Sequence, residues 1–113
     1  MTNVFKKRVR LLNSAHFKYV FNKFNKIYCK ELIILERTNK LTFSRLGICI
    51  SKKKIRHACK RNHIKRIIRE SFRLIQNQLI NSDFIVVINA QSLNISQKLL
   101  AEKIGKLWIY YYQ

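Results

Sequence analysis

Acidic side chains are scarce: Glu31, Glu36, Glu70, Asp83 and Glu102 are the only ones in 113 residues. They are dispersed, and neither an Asp-x-Asp pair nor a His-Glu-x-x-His stretch occurs. The chain therefore offers no evident carboxylate cage for a metal and no acid–base pair for hydrolysis. Proline is absent and glycine occurs only at positions 47 and 105, which excludes a glycine-rich phosphate loop. With its frequent Ile, Asn and Lys, this bias looks like that of a genome rich in A and T. No run of 18 apolar residues exists, so no membrane-spanning helix is expected. The start, MTNVFKKRVRLLNSAHFK, has charge but no apolar stretch with a small-residue cleavage site, so no secretory signal is expected. Cysteines stand at 29, 49 and 59 without a Cys-x-x-Cys pair. They are expected to be reduced and mostly buried. Cys59, His63 and His57 lie close in sequence but lack a fourth ligand, and no metal site is expected there. Repeats, low-complexity tracts and linkers are also missing.

Basic and apolar residues fill the space. Lys and Arg total 24, the formal net charge is +19, and hydrophobic residues make up 48%. That length supports one domain, 1–113, with residues 1–12 as a basic irregular arm. The apolar content excludes a disordered basic tail. A compact body with this charge repels itself unless an anionic partner neutralises it. Nucleic acid leads, because its phosphates are dense and regular; anionic membrane and acidic protein are the rivals. A cytoplasmic location is expected.

The pattern predicts a small α+β fold, an α-β sandwich in the order α-β-β-(β)-α-β-α. A first helix starts at Asn13–Ser14 and carries Phe17, Val20, Phe21 and Phe24 at helical spacing. YCKELIILERT (28–38) and FSRLGICIS (43–51) read as strands, the second alternating Leu46, Ile48, Ile50 against Gly47, Cys49, Ser51. An antiparallel hairpin between them is expected, with an extra strand within 28–51 as an option. A basic connector (52–57) leads to a long helix, 58–79, which Asn81–Ser82–Asp83 breaks. FIVVINA (84–90) is a buried strand. The last helix is expected from Asn94, with Gln97 completing a capping box. It places Leu99, Leu100, Ile104, Leu107, Trp108 and Tyr111 on one side.

The long helix separates charge from oil. At about 100° per residue, Arg61, Asn62, Lys65, Arg66, Arg69 and Arg73 share one arc about 140° wide. Ile64, Ile67, Ile68, Phe72, Leu74, Ile75 and Leu79 share the other side. A solvated face would interleave Glu with Lys, but Glu70 stands alone. A lipid-binding helix would leave its apolar side free, whereas three strands here need covering. Arginine forks suit phosphate. If about five to seven phosphates are neutralised, affinity falls with salt at a log–log slope of roughly −4 to −6.

KRNHIKRIIRESFR (60–73) resembles the signature of the protein subunit of bacterial ribonuclease P, through Arg61, Asn62, Lys65, Arg66, Arg69 and Glu70. RLLNSAHFKYVF (10–21), RLGICISKKKIRHA (45–58), DFIVVINA and the terminal KLW (106–108) are also similar to that family, so the resemblance spans nearly the whole chain. His63 departs from it, standing where the family usually has Arg, just off the basic arc beside Glu70. The resemblance implies a left-handed βαβ crossover, against the general right-handed rule. It implies a catalytic RNA partner that performs the hydrolysis with Mg2+, no cofactor held by the protein, and removal of the 5′ leader from precursor tRNA. Arg61, Asn62, Lys65, Arg66, Arg69 and Arg73 would bind the catalytic RNA. Phe17, Phe21, Ser51, Lys52 and Lys53 would bind the single-stranded leader in a cleft between the first helix and the sheet. Aromatic faces beside a positive groove suit that ligand, although Phe17 and Phe21 at helical spacing also suit plain core packing. The protein alone is expected to be a monomer. A structural ribosomal protein shares the charge and size but not the ordered signature. A DNA reader would need a short helix and tight turn before its recognition helix, where 43–57 reads as strand plus connector.

Overall fold

The most apolar strand takes the middle of the sheet, and the other elements are arranged around it. In the computed structural model, which describes residues 9–51, 53, 55–89 and 95–113, chain order runs through seven main elements. They are α1 (Ser14–Asn22), β1 (Asn25–Tyr28), β2 (Leu32–Thr38), β3 (Arg45–Ile50), α2 (Ala58–Ile75), β4 (Ser82–Ile88) and α3 (Gln97–Trp108). Short 3-10 turns follow α2 (Gln76–Gln78) and α3 (Ile109–Tyr111). This is the expected α+β order. The sheet order is β1-β2-β4-β3, with β2 and β4 antiparallel and β3 and β4 parallel.

The expected hairpin between 28–38 and 43–51 is therefore not formed. β4 lies between the two strands and pairs with both. Its FIVVI core is buried on both faces apart from a half-buried Val87. A central position suits such a strand, whereas β3 has β4 as its strand neighbour and β2 lies between β4 and the short β1. The link between β2 and β3 has Lys40 in the left-handed region (φ 61°). The extra strand is real but lies at Asn25–Tyr28, ahead of most of the range expected for it.

The predicted break at 81–83 also fails. Ser82 and Asp83 begin β4 and are fully buried. Both are turn formers by habit, but here partners satisfy them. Ser82 Oγ donates to Glu36 Oε2 at 2.6 Å. Asp83 accepts two bonds from the Arg45 guanidinium, each 2.7 Å, and one from Asn39 Nδ2 at 2.9 Å.

Two cores flank the sheet. Leu32, Ile34, Leu46, Phe84, Val86 and Ile88 face α2 and α3, meeting Ile64, Ile68 and Phe72 from one and Leu100, Ile104 and Trp108 from the other. Trp108 sits edge-on to Phe72 and Phe84 and donates its indole N–H to Ser71 Oγ at 3.1 Å. On the opposite face, Val20 of α1 packs on Leu35 and Ile85. The face assignments of α2 and α3 follow the expected stripes, except that Leu74 of α2 and Leu99 of α3 are exposed. α2 is shorter than expected, ending at Ile75.

Caps explain the other boundaries. Asn13 and His16 form a reciprocal capping box, each side chain accepting the other's backbone N–H at 3.0 Å. α1 stops before Phe24, which is exposed. α3 starts at Gln97 because Ser96 caps it, accepting from the Leu99 N–H at 3.1 Å; Asn94 lies outside the described residues. Part of the expected arm is not loose: Leu12 donates to the Leu46 carbonyl and Leu46 to the Arg10 carbonyl, lining residues 10–12 along the outer edge of β3. Residues 1–8 lie outside the described set. The cysteines are not mostly buried: Cys49 and Cys59 are exposed and Cys29 half-buried, because Cys49 sits on the open sheet face and Cys59 lines the open cleft between α2 and α3.

Candidate nucleic-acid interface

α2 carries its cations on the side turned away from the sheet. Arg66, Arg69 and Asn62 are exposed, and Arg61, Lys65 and Arg73 half-buried. Two of the five cations have intramolecular work. Arg61 Nη1 donates to the carbonyls of Ile55 and Arg56 at 2.7 and 2.8 Å, fastening the connector to the helix. Arg73 forms a fork with Glu70, its closest contact 2.7 Å. That hydrogen bond, more than charge proximity, raises the Arg73 pKa further above its ordinary value. Lys65, Arg66 and Arg69 have no such partner among the described residues. They form an uncompensated strip of donors, the arrangement expected to meet phosphates.

The opposite sheet face offers a different surface. Strand register lines up Tyr28, Ile33, Val87 and Cys49 in one row across all four strands. Tyr28 and Cys49 are exposed, Ile33 and Val87 half-buried. The next row, Lys26, Leu35, Ile85 and Gly47, lies under α1. There Phe17 reaches across to Gly47 so closely that a Cβ on Gly47 would sit 2.6 Å from Phe17 Cζ. Phe21 stacks on Phe17 with centroids 6.1 Å apart and is 46% exposed. Phe17 is half-buried and packs against the Val20, Leu35 and Ile85 cluster. Beyond Gly47 the neighbouring row carries exposed Tyr28 and Cys49 with half-buried Ile33 and Val87, and aromatic faces on such a surface suit unstacked bases. Ser51 and Lys53 follow the end of β3, Ser51 half-buried and Lys53 exposed; Lys52 lies outside the described residues. Tyr28, Ile33, Val87 and Cys49 escaped the sequence reading. Only the strand register brings them together.

The two surfaces approach each other around the edge of β3. Phe17, Gly47 and Ile48 share one concavity with Lys65 and Arg69. Ion pairs hold the frame. The buried Glu31 accepts from Lys103 Nζ at 2.8 Å, tying α3 to the turn before β2. That hydrogen bond lowers the Glu31 pKa below the ordinary carboxylate value, against the opposing effect of burial. Burial and the nearby Glu36 push the Tyr111 phenol up to about 12. Among the described residues, no group of three or more His, Cys, Asp or Glu side chains could hold a metal ion. No described helix is long and apolar enough to cross a membrane.

Comparison with known proteins points in one direction. The family model described as Ribonuclease P matches residues 5–112. The ribonuclease P protein component of Buchnera aphidicola is 54% identical over 109 residues, covering 96% of each chain. That of Vibrio cholerae is 42% identical over 107 residues, covering 95% of this chain and 91% of the relative. Among solved structures, the Staphylococcus aureus RNase P protein superposes with a TM-score of 0.78 at 28% identity, covering 90% of this chain and 99% of the other. The Thermotoga maritima RNase P protein gives 0.79 at 25% identity, with 94% and 100% covered.

Proposed function

The chain belongs to the ribonuclease P protein family, and on that footing we propose how its surfaces divide the work of the ribonucleoprotein. Its exposed α2 arc binds the catalytic RNA. The face of the sheet beside α1 binds the single-stranded 5′ leader of precursor tRNA. The observation that carries this reading is the unpartnered strip of Lys65, Arg66 and Arg69, with Asn62 exposed beside it. Arg61 and Arg73 flank the strip and retain donors beyond those they use internally. Phe17 and Phe21 stack leader bases, with Ser51, Lys52 and Lys53 at the rim of that cleft. The chain acts as one domain, in the cytoplasm.

Hydrolysis resides in the RNA, whose phosphates gather the Mg2+ that the reaction uses. The protein's share is electrostatic and positional. It neutralises RNA that would otherwise repel its substrate, and it holds the leader so that the scissile bond is presented in one place. A structural RNA-binding role without tRNA processing would need the same cations but no leader cleft.

Reconstitution tests this. The protein, the matching ribonuclease P RNA and a precursor tRNA are mixed at low magnesium and leader removal is followed. Protein-dependent cleavage is expected. Cleavage no faster than with RNA alone would refute the proposal, and cleavage by protein without RNA would refute the assignment of hydrolysis to the RNA. Phe17→Ala should weaken leader-bearing substrate while sparing mature tRNA.

A further inference from the structure

α2 and α3 leave a groove between them that meets the proposed RNA surface only at Arg66. Two cavities of about 350 and 670 Å3 adjoin there and share His63, Ile67 and Gln97 as lining. The larger runs past Leu74, Gly105 and Trp108. Leu74 is 65% exposed in it.

Three independent features indicate that something enters. First, His63 Nε2 is buried without a hydrogen-bond partner among the described residues. A desolvated ring nitrogen with nothing to bond is a cost that folding does not recover. Second, Gly105 lies inside α3, where glycine is unfavourable. A Cβ there would meet nothing within 4 Å, so packing within the chain does not demand this glycine. It deepens the groove for a guest. Third, the rim is cationic, with Lys60, Arg66 and Lys98. Its one carboxylate, Glu70, is engaged by Arg73. Arg66 also belongs to the basic arc, so the groove continues the surface proposed for RNA.

We infer that this groove receives an unstacked base of the partner RNA. The base lies on the apolar floor of Ile67 and Leu74 over Gly105, and its edge bonds His63 Nε2. Its flanking phosphates meet Arg66 and Lys98. An imidazole nitrogen donates or accepts according to tautomer, so His63 can serve either kind of base edge. A second copy of the chain is a poorer guest, because each copy carries a net charge of +19. The inference rests on α2 binding RNA, and the test separates the two claims.

Full-length Gly105→Leu, His63→Leu and Arg66→Ala proteins are titrated with the matching ribonuclease P RNA across a salt series, with thermal melts alongside. Gly105→Leu should fill the groove without disturbing the fold. Its affinity should fall at least tenfold at unchanged salt slope, because no cation is removed. His63→Leu should melt higher and bind several-fold more weakly, opposite signs that simple damage to the fold would not give. Gly105→Leu or His63→Leu binding within twofold of the parent, while Arg66→Ala flattens the slope, would overturn the groove and leave the arc standing. An unchanged slope for Arg66→Ala, with all three variants binding normally, would sink both. Self-association of the free protein that Gly105→Leu abolishes, with RNA binding intact, would give the groove to a second copy and overturn the inference.

Discussion

Replacing Lys65, Arg66 and Arg69 together by Ala should change how RNA binding responds to salt far more than it changes the fold. The three side chains make no hydrogen bond or ion pair to the described residues, and two are exposed. Alanine is the best helix former, and the substitution relieves like-charge repulsion between positions 65 and 69. Stability should hold or rise. Binding is another matter. With five arc cations on phosphates, the log–log salt slope is roughly −4.5, so affinity drops roughly 500-fold between 50 and 200 mM salt. Removing three leaves a slope of roughly −1.8 and a drop of only roughly 12-fold over the same range. Filter binding or fluorescence anisotropy against ribonuclease P RNA over that range reads the slope directly. A triple variant with the parental slope would refute the assignment of the arc to RNA, however weak its binding. Arg61→Ala supplies the contrast. It should lower the melting temperature, because that guanidinium also holds the Ile55 and Arg56 carbonyls.

Two further outcomes follow from named contacts. Gly47→Ala drives a methyl against Phe17 Cζ and should displace that ring, weakening leader-bearing precursor roughly tenfold, about the loss of one stacked base; an equal loss on mature tRNA would point to a damaged core. The Glu31 carboxyl has its pKa lowered below 4.5 in the folded state by Lys103. Its contribution to stability is thus complete above that value and is lost as pH falls through the folded one. Urea midpoints measured from pH 6 to pH 3 should fall less steeply in Glu31→Gln than in the parent, and a steeper fall would contradict the assigned sign.

The division of α2 into two arcs was legible because a helix of regular period converts spacing into direction. The stripe of α3 was legible for the same reason. Strand partners were not, because period two states which face a residue takes but not which neighbour it meets. Both 28–38 and 43–51 read correctly as strands, yet the hairpin between them gave way to the pairing of each with β4, Ser82–Ile88. β1 was hidden by its composition: Asn25 and Lys26 are polar, and three of its four residues are exposed. Ser82 and Asp83 were misread because their partners, Glu36 and Arg45, are remote in sequence. The candidate leader surface was half visible. Phe17 and Phe21 stood out by spacing, while Tyr28 and Cys49 share their row only through the sheet. His63 was placed at the edge of the basic arc, and the structure shows that this edge opens into the α2–α3 groove.

The central position of β4 also has a consequence for how the protein is made. During synthesis β2 and β3 emerge first but have no neighbour in common until residues 82–88 appear. At about 5–20 residues per second, the nascent amino-terminal part waits seconds with its inner strand edges unpaired. The pairings that close the sheet, β4 with β2 and with β3, are non-local, which slows folding once the chain is free. During that interval the segment is strongly cationic as well as unfinished. A polyanion that meets it then touches α2 before the sheet beneath is closed, so assembly with RNA and completion of the fold can occur as one event.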